Sequence, residues 1–297
     1  MAKQSELIVN IKDIIQDTAF DSATLLSLMN EAQRKIAGGV LILYPDRTQV
    51  LSSPLAALST SGSLTTSTTY PYISMPSNYG RNLFFLVSET NDLRIEVYSA
   101  YGELLACYPV LENTGRVIAA SVVGSLLYYQ GMPSTAETLT AYYYRKPHDM
   151  ATLTGATDIS FTATTLRIAD AGNEMSKFKA GQTIDVTGTT LNNTSFVIAS
   201  VETDGSYLTT TVAPVLEANS SATIKSRPDG IPEHLHEDLL VNYAVMKVFE
   251  RKTIAEKMNM QNVEQYKGYF NAAMINLEAA LEEVGEPVQL LLGGRFG

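Results

Sequence analysis

The sequence has a single cysteine, Cys107, and only three histidines among its 297 residues. One cysteine excludes an internal disulfide framework and a multi-cysteine metal site, and we expect Cys107 to be a small buried hydrophobe. No run of about 18 apolar residues occurs, so the sequence predicts no membrane span. The formal net charge of −10 argues against a general nucleic-acid binder, whose affinity needs clustered lysine and arginine.

Catalytic motifs are also missing. The sequence contains no Gly-x-Ser-x-Gly elbow, no His-Glu-x-x-His helix, no P-loop and no dinucleotide-binding glycine pattern. His234 and His236 are two positions apart, and such residues point to nearly opposite faces of a helix, so they cannot share one metal ion. The nearby Glu233, Glu237 and Asp238 are instead typical of a first helical turn, where carboxylates complement the helix dipole. We therefore expect neither an enzyme nor a metal or cofactor site.

The amino terminus lacks the apolar core and small-residue cleavage site of a signal peptide. Its first six residues lead instead into an amphipathic pattern that contains acidic residues. We expect the protein to remain in the cytoplasm of the cell that makes it.

A stretch near the carboxy terminus organises the helical part of the chain. Pro228-Asp229-Gly230 predicts a turn, and Pro232 suits the first position of a helix. The residues Leu235, Leu239, Tyr243 and Met246 recur at helical spacing, which predicts one buried face. A capping box at Thr253–Glu256 predicts a second, longer helix, with an apolar stripe at Val263, Tyr266, Phe270, Met274, Leu277, Leu281 and Val284, ended by Gly285 and Pro287.

Two further helices are predicted at the amino terminus. The first carries Leu7, Ile8, Ile11, Ile14 and Ile15. The second is capped by Asp21 or Ser22, carries Leu25, Leu28, Met29, Ala32 and Ile36, and ends at Gly38-Gly39. Because these apolar stripes need partners, we expect one helical core assembled from both ends of the chain.

Between these helices the sequence predicts loops and short strands. Residues 59–63 and 65–69 are rich in serine and threonine and indicate a loop or extended arm. Residues 83–87 and 93–98 predict a hairpin around the turn at 89–92. Residues 126–129 and 139–144 predict aromatic strands, whose tyrosines would lie partly in a core and partly in a protein interface. A sugar-binding surface is the alternative for these rings.

Residues 151–226 differ from the rest, since they have almost no helical period and many threonines. We interpret them as an inserted β-domain, a small barrel or sandwich, with strands at 166–168, 183–186, 195–201, 207–212 and 222–224. Asp204-Gly205 is a strong hairpin signal, and prolines at both joints suit a boundary.

The predicted fold class is therefore α+β. Residues 1–150 and 227–284 would form a helical core with a small antiparallel β subregion, and residues 151–226 an inserted all-β module. Residues 285–297 would be a carboxy-terminal arm. Its candidate partner-binding residues are Leu290, Leu291, Leu292, Arg295 and Phe296, because apolar side chains beyond a capped helix need burial somewhere. They would contact a neighbouring subunit or another protein, or fold back on their own chain.

The order of these parts resembles the head-to-tail adaptor (connector) proteins of tailed bacteriophages. The resemblance covers about residues 1–150 and 227–297 and excludes the insert. The matching segments are Asn30-Glu31-Ala32, Tyr44-Pro45-Asp46, Met75–Tyr79, Ala141–Pro147 and Asp229–His236. Within the insert, Phe178–Ile184 followed by Asn192-Asn193 is similar to small β-modules of other phage virion proteins.

The resemblance implies a structural protein of the virion, located at the head–tail junction. Such proteins form an oligomeric ring, usually a dodecamer, that binds the portal protein above and a tail tube or nozzle protein below. Their carboxy-terminal segment commonly reaches the portal, so the resemblance implies that the candidate residues of the arm contact the portal or a neighbouring subunit. DNA would pass through the ejection channel without being tightly bound, which an acidic subunit favours. The alternative is another viral tail or baseplate component whose inserted β-domain binds a tail fibre or a host glycan.

Overall fold

A computed structural model describes residues 3–17, 19–154, 158–253 and 260–284 of the chain. The chain divides into two compact units. One unit comprises residues 1–36, 40–52 and 147–280, and the other comprises residues 37–39, 53–146 and 281–297.

The described ranges contain five α-helices: α1 (Gln4–Ile15), α2 (Ser22–Gly38), α3 (Tyr101–Cys107), α4 (Asn242–Thr253) and α5 (Met260–Val284). The predicted limits of α2 are confirmed. The Thr24 N–H donates to Asp21 Oδ1 at 2.6 Å, which makes Asp21 the amino-terminal cap. Gly39 follows the helix with a φ of 103°, a conformation that glycine adopts without steric cost.

The buried helical faces of the first unit largely match the sequence pattern. Leu7, Ile11 and Ile15 are buried on α1, whereas Ile14 is exposed. The predicted stripe before and within α4 is buried, and the Tyr243 ring meets Phe270 of α5 edge to face at 5.3 Å. A 3-10 turn (Glu233–Leu235) and a π-helical turn (Glu237–Val241) precede α4. The predicted capping box lies mostly outside the described residues.

A two-stranded sheet also belongs to the first unit. It pairs β1 (Leu41–Leu43) antiparallel with β2 (Gln49–Leu51), with Leu41 opposite Leu51 and Ile42 opposite Val50. We call this element the short hairpin.

The second unit contains a seven-stranded sheet in the order β3-β9-β5-β6-β7-β8-β4. Only the β6–β7 pair is parallel among its described pairs, and α3 lies in the connection between those strands. The predicted hairpin at 83–98 is confirmed by the β5–β6 pairing. The strands are β3 (Ser59–Thr65), β4 (Tyr72–Ser74), β5 (Tyr79–Ser88), β6 (Leu93–Tyr98), β7 (Ala119–Val123), β8 (Leu126–Gln130) and β9 (Thr138–Arg145).

Strand β3 corrects the prediction of a loop at residues 59–63. It pairs with β9 along its whole length, from Ser59 opposite Tyr144 to Thr65 opposite Thr138. The small polar composition has a packing reason at Gly62, where an added Cβ would lie 3.1 Å from both Pro76 and the Tyr143 hydroxyl. The strand therefore forms because a partner edge is available, although its own composition disfavours a strand.

Residues 152–226 form an eight-stranded sheet in the order β10-β17-β13-β14-β15-β12-β11-β16. Both halves of this sheet direct side chains such as Phe161, Ile184 and Phe196 into one buried cluster, so the sheet curls around a single core. We call it the β-module. The strands are β10 (Thr152–Thr154), β11 (Ile159–Thr162), β12 (Arg167–Asp170), β13 (Thr183–Thr187), β14 (Ser195–Val201), β15 (Tyr207–Thr210), β16 (Glu217–Ser220) and β17 (Thr223–Ser226).

The predicted fold class is wrong. In place of a helical core with a small antiparallel β subregion, the described chain is mostly β, with sheets of two, seven and eight strands. Inside the β-module, the expected barrel or sandwich is one curled sheet with β10 and β16 at its edges. The error arose because β3 consists mainly of small polar residues and β4 and β10 have only three residues each, so these three become strands only through distant partners.

The expected burial of Cys107 is also wrong. It is a free, exposed cysteine at the last position of α3. Because α3 has seven residues and buries only Leu104, most of its surface faces solvent.

Both joints of the β-module are hydrogen-bonded to α2. Asn30 exchanges two hydrogen bonds with the Met150 backbone, at 3.0 and 2.7 Å. Gln33 donates to the His148 carbonyl at 2.6 Å and accepts from the Asp229 N–H at 2.8 Å. One helix therefore holds the chain where it enters the β-module and where it leaves it.

Candidate partner-binding surface

The histidine region lacks the arrangement of a metal site. His234 is exposed and His236 is buried, so the two rings point in different directions, as their spacing predicts. The His236 Nε2 atom lies 2.8 Å from the Ile231 carbonyl oxygen, and burial lowers the pKa of this imidazole. Among the described residues, no group of three or more His, Cys, Asp or Glu side chains is placed to hold a metal ion.

Open clefts in the described residues do not bring reactive groups together either. One lies between β5 and β6, where the Arg94 guanidinium stacks on the Phe85 ring at 5.1 Å. Another lies between α1 and α2 and is lined by Lys12, Asp13 and Asp17. The first cleft is lined by apolar side chains such as Ile95 and Val97 together with the charged Arg94 and Glu96. In the second, the Lys12 ammonium donates to the Ser22 hydroxyl at 3.0 Å, which is an exposed surface hydrogen bond and not an enclosed reactive pair. The candidates for a functional site are instead apolar surfaces that stay exposed among the described residues.

The short hairpin presents such a surface. Leu41, Leu43 and Leu51 point outward from one side of it and are 63%, 48% and 59% exposed. Ile42 points inward and is fully buried, as expected from the alternation of side chains along a strand. We call the three outward side chains the leucine face.

The leucine face stands on a well-fixed backbone. Asn271 of α5 accepts a hydrogen bond from the Leu43 N–H at 2.9 Å and donates to the Leu43 carbonyl at 2.7 Å. In the turn, Asp46 accepts hydrogen bonds from the Thr48 N–H and hydroxyl at 2.9 and 2.6 Å. Both bonds lower the pKa of the Asp46 carboxyl, and the bond from the Thr48 hydroxyl has the larger effect. A two-stranded hairpin alone is marginally stable, so these bonds explain its persistence.

The exposure of the leucine face has an energetic cost. Burying a leucine side chain stabilises by about 1.5–3 kcal/mol relative to leaving it in water. Three leucines on a fixed, projecting element thus favour a partner that covers them. The leucine face is our candidate partner-binding site.

A second apolar surface lies at one end of the β-module. Leu191, Val215 and Leu216 are exposed there, and the buried Asn192 side chain holds the loops that carry them. Asn192 accepts from the Val215 N–H at 2.8 Å and donates to the Val215 carbonyl at 2.9 Å. It also donates to the Glu217 carboxylate, which accepts a hydrogen bond from the Leu191 N–H as well. We call this surface the module tip.

The tyrosines of the second unit divide between core and surface. Tyr129 and Tyr143 are buried. Tyr70, Tyr72, Tyr128 and Tyr101 instead form a row of neighbouring rings, with centroids 5.5, 5.5 and 4.8 Å apart in that order. Since these rings are at least partly accessible, the row is a further surface available to a partner.

The sequence-predicted site residues Leu290, Leu291, Leu292, Arg295 and Phe296 lie outside the described residues. Sequence reasoning missed the leucine face. Its signal was the pair of short apolar segments Leu41–Leu43 and Val50–Leu51 on either side of Pro45-Asp46. Such a pair suggests a hairpin, but nothing in it tells which apolar side chains stay exposed.

Comparison with known proteins adds no relative. No protein-family model matches the sequence, and no curated protein matches it significantly. Among the helices that the structure describes, none is both long and apolar enough to cross a membrane.

Proposed function

We propose that this chain is a structural protein of a bacteriophage virion that forms a ring between the portal and the tail. The observation that carries the proposal is the leucine face, because it is fixed to α5 through Asn271 and is left exposed by the part of its own chain that the structure describes. A closed ring requires two different complementary surfaces on each subunit. The leucine face supplies one of them.

Two further observations support the proposal. The segments that resemble phage adaptors are distributed over most of the chain outside the β-module, as described above. The net charge of −10, repeated around a ring, suits a channel that lets DNA slide without holding it.

The test is the assembly state of the purified protein with and without portal. We expect native mass spectrometry and electron microscopy to show rings, either alone or on portal. Replacing Leu41 and Leu51 with arginine should abolish the rings. Replacing Val110, an equally exposed residue at 57%, with arginine is the matched control and should leave them intact. A chain that stays monomeric at high concentration and on portal would contradict the proposal.

The module tip favours a second candidate, a tail or baseplate component whose β-module binds a tail fibre or a host glycan. Between these two ligands, the apolar side chains of Leu191 and Leu216 favour a protein such as a fibre. Leu216→Arg should then abolish fibre binding while the Leu41→Arg, Leu51→Arg variant retains it. Glycan binding by the intact protein that survives Leu216→Arg would place a sugar site elsewhere.

A further inference from the structure

We propose that the outer edge of β2 accepts a third strand, and that this strand is residues 288–292 of a second copy of the chain. This inference rests on the proposed ring, because it names the contact between neighbouring subunits. It joins two features that the proposed function leaves open: the free edge of the short hairpin and the apolar segment after α5.

The hydrogen-bond pattern of the hairpin identifies the free edge. The Tyr44 N–H donates to Thr48 at 3.0 Å, and the Ser52 N–H donates to Val40 at 2.8 Å. In an antiparallel pair, hydrogen-bonded and non-hydrogen-bonded pairs alternate. The pairs Leu41–Leu51 and Leu43–Gln49 are therefore non-hydrogen-bonded, and their N–H and C=O groups point away from the hairpin.

The two outer edges differ in what they contact. On the β1 edge, Asn271 occupies both backbone groups of Leu43. On the β2 edge, no described residue hydrogen-bonds to the outward backbone groups of Gln49 and Leu51. An edge of this kind accepts an extended segment, whose main chain supplies affinity while alternate side chains supply specificity.

The segment that pairs with the β2 edge must also cover the leucine face, so it has to be apolar. Residues 285–297 follow the last described residue of α5, and within them Val288-Gln289-Leu290-Leu291-Leu292 is the apolar segment. In a strand, Leu290 and Leu292 point to the same side, so both can cover the leucine face. Pro287 precedes the segment, and proline is tolerated at the start of an edge strand.

A second copy is the donor because the contact then builds a ring. The edge and the arm are two different surfaces on one chain, so a contact between copies is heterologous. Each copy donates one strand and receives one, and a suitable rotation closes the series. Residues 285–287, at about 3.3 Å each when extended, give a link of roughly 10 Å between α5 and the strand.

A disulfide crosslink tests this arrangement without altering the leucine face or the Leu290 and Leu292 side chains that would cover it. Val50 is 50% exposed and its side chain lies on the side opposite the leucine face. Gln289 and Leu291 would share that side of the added strand. In a Cys107→Ser background, which removes the exposed native thiol, Val50→Cys is combined with Gln289→Cys or with Leu291→Cys. Directly opposed residues on adjacent strands are close enough to form a disulfide with small adjustments.

We expect at least one of these two pairs to form disulfide-linked dimers and larger species on a non-reducing gel. The matched control, Val110→Cys with Gln289→Cys, should form none. A disulfide confined to the monomer would show that the arm returns to its own hairpin and would overturn the assignment to a second copy. Absence of any crosslink from both pairs would overturn the strand contact itself.

The same samples separate this inference from the proposed function. If native mass spectrometry finds rings but no crosslink forms, the strand contact is wrong and the ring stands. If crosslinked dimers form but no ring appears with or without portal, the contact is right and the connector proposal fails.

Discussion

Ala151 and Ser226, the first and last residues of the β-module segment, are hydrogen-bonded to each other. The Ser226 N–H donates to the Ala151 carbonyl at 3.0 Å, and the Ala151 N–H donates to the Ser226 hydroxyl oxygen at 2.7 Å. The chain therefore leaves the module beside the point where it entered. This proximity, together with the attachment of both joints to α2, suggests how the module can be removed.

Deleting residues 151–226 and closing the gap with a short Gly-Ser bridge should leave a folded protein. The cut ends are already adjacent, so the bridge need not strain the chain, and Asn30 and Gln33 retain their partners outside the deletion. Circular dichroism and thermal unfolding measure the result. A single cooperative transition is expected, and its loss would show that the module belongs to the core. The deletion also removes Asp185, which forms a buried ion pair with Arg227. We therefore include Arg227→Met in the deleted protein, so that this guanidinium charge is removed as well.

The buried ion pair between Arg227 and Asp185 gives a second prediction. Arg227 donates to both Asp185 oxygens, with Nη2 to Oδ1 at 2.7 Å and Nε to Oδ2 at 3.0 Å, and the side chains are only 11% and 8% exposed. Burial acts to raise the Asp185 pKa, but hydrogen bonds from Arg227 and Ser195 leave it below its ordinary value.

Asp185→Asn should lower the free energy of unfolding by about 3 kcal/mol, because the buried Arg227 guanidinium loses its bidentate carboxylate and keeps only the half-exposed Glu233 as a charged partner among the described residues. Replacing both residues with apolar ones, Asp185→Leu with Arg227→Met, should cost less than either single change. Chemical denaturation measures the free energy of unfolding of Asp185→Asn, of Asp185→Leu and Arg227→Met separately, and of the double variant. The control is Arg34→Met, which breaks an ion pair that is about half exposed and should cost less than about 1 kcal/mol. Equal losses at the two sites would contradict the prediction.

The buried His236 predicts a loss of stability in mild acid. Its pKa is lowered by burial, and the Nδ1 atom has no hydrogen-bond partner among the described residues. The folded state therefore binds fewer protons than the unfolded state below the unfolded pKa of roughly 6.5. Stability contributed by neutral His236 is present above that pH and is lost as pH falls, by at most about 1.4 kcal/mol per pH unit.

His236→Gln keeps a donor for the Ile231 carbonyl and should flatten the stability profile between about pH 5 and 7. Thermal unfolding at a series of pH values measures the profile. His234→Gln is the matched control, since that side chain is exposed and the profile should remain unchanged. Identical profiles for the His236 variant and the unmodified protein would exclude His236 as the source.

Asn271 should fix the short hairpin to α5. Asn271→Ala removes both hydrogen bonds to the Leu43 backbone, each contributing about 1 kcal/mol. We expect the Leu43 amide to exchange with solvent roughly ten times faster or more, while the buried core of the β-module exchanges as before. Hydrogen exchange with peptide-level detection measures both. Gln265→Ala is the control, because among the described residues its amide donates to Tyr269 on the same helix and not to the short hairpin, and it should leave Leu43 protected.

Asn192 should determine the stability of the module tip. Asn192→Ala leaves the Val215 N–H and carbonyl without their side-chain partner and is expected to cost about 2–3 kcal/mol. Leu191→Ala, at a neighbouring exposed position, should change stability by less than about 0.5 kcal/mol. Denaturant unfolding compares the two variants. A similar cost for both would mean that Asn192 does not hold the loops.

The sequence predicted those elements whose signal is local. The apolar spacing of α2 and α4, the cap at Asp21 and the stop at Gly39 depend on residues within a few positions of one another. The same holds for the hairpin at Asp204-Gly205, where Gly205 has a φ of 77° and the flanking β14 and β15 pair. In these places composition and structure agree because the contacts that decide the structure are near neighbours in sequence.

What the sequence by itself determined, therefore, was the helices at the two ends of the chain, the strong turns and the absence of recognisable catalytic motifs, whereas the short helix α3 was not predicted. The tertiary structure decided how much of the chain became sheet and which apolar residues stayed exposed. Strand β3 exists because β9 offers it an edge, and Leu41 and Leu51 are exposed while Ile42 is buried because Asn271 fixes the orientation of the hairpin. Strand pairing and burial depend on contacts between distant segments, which no local pattern of residues specifies.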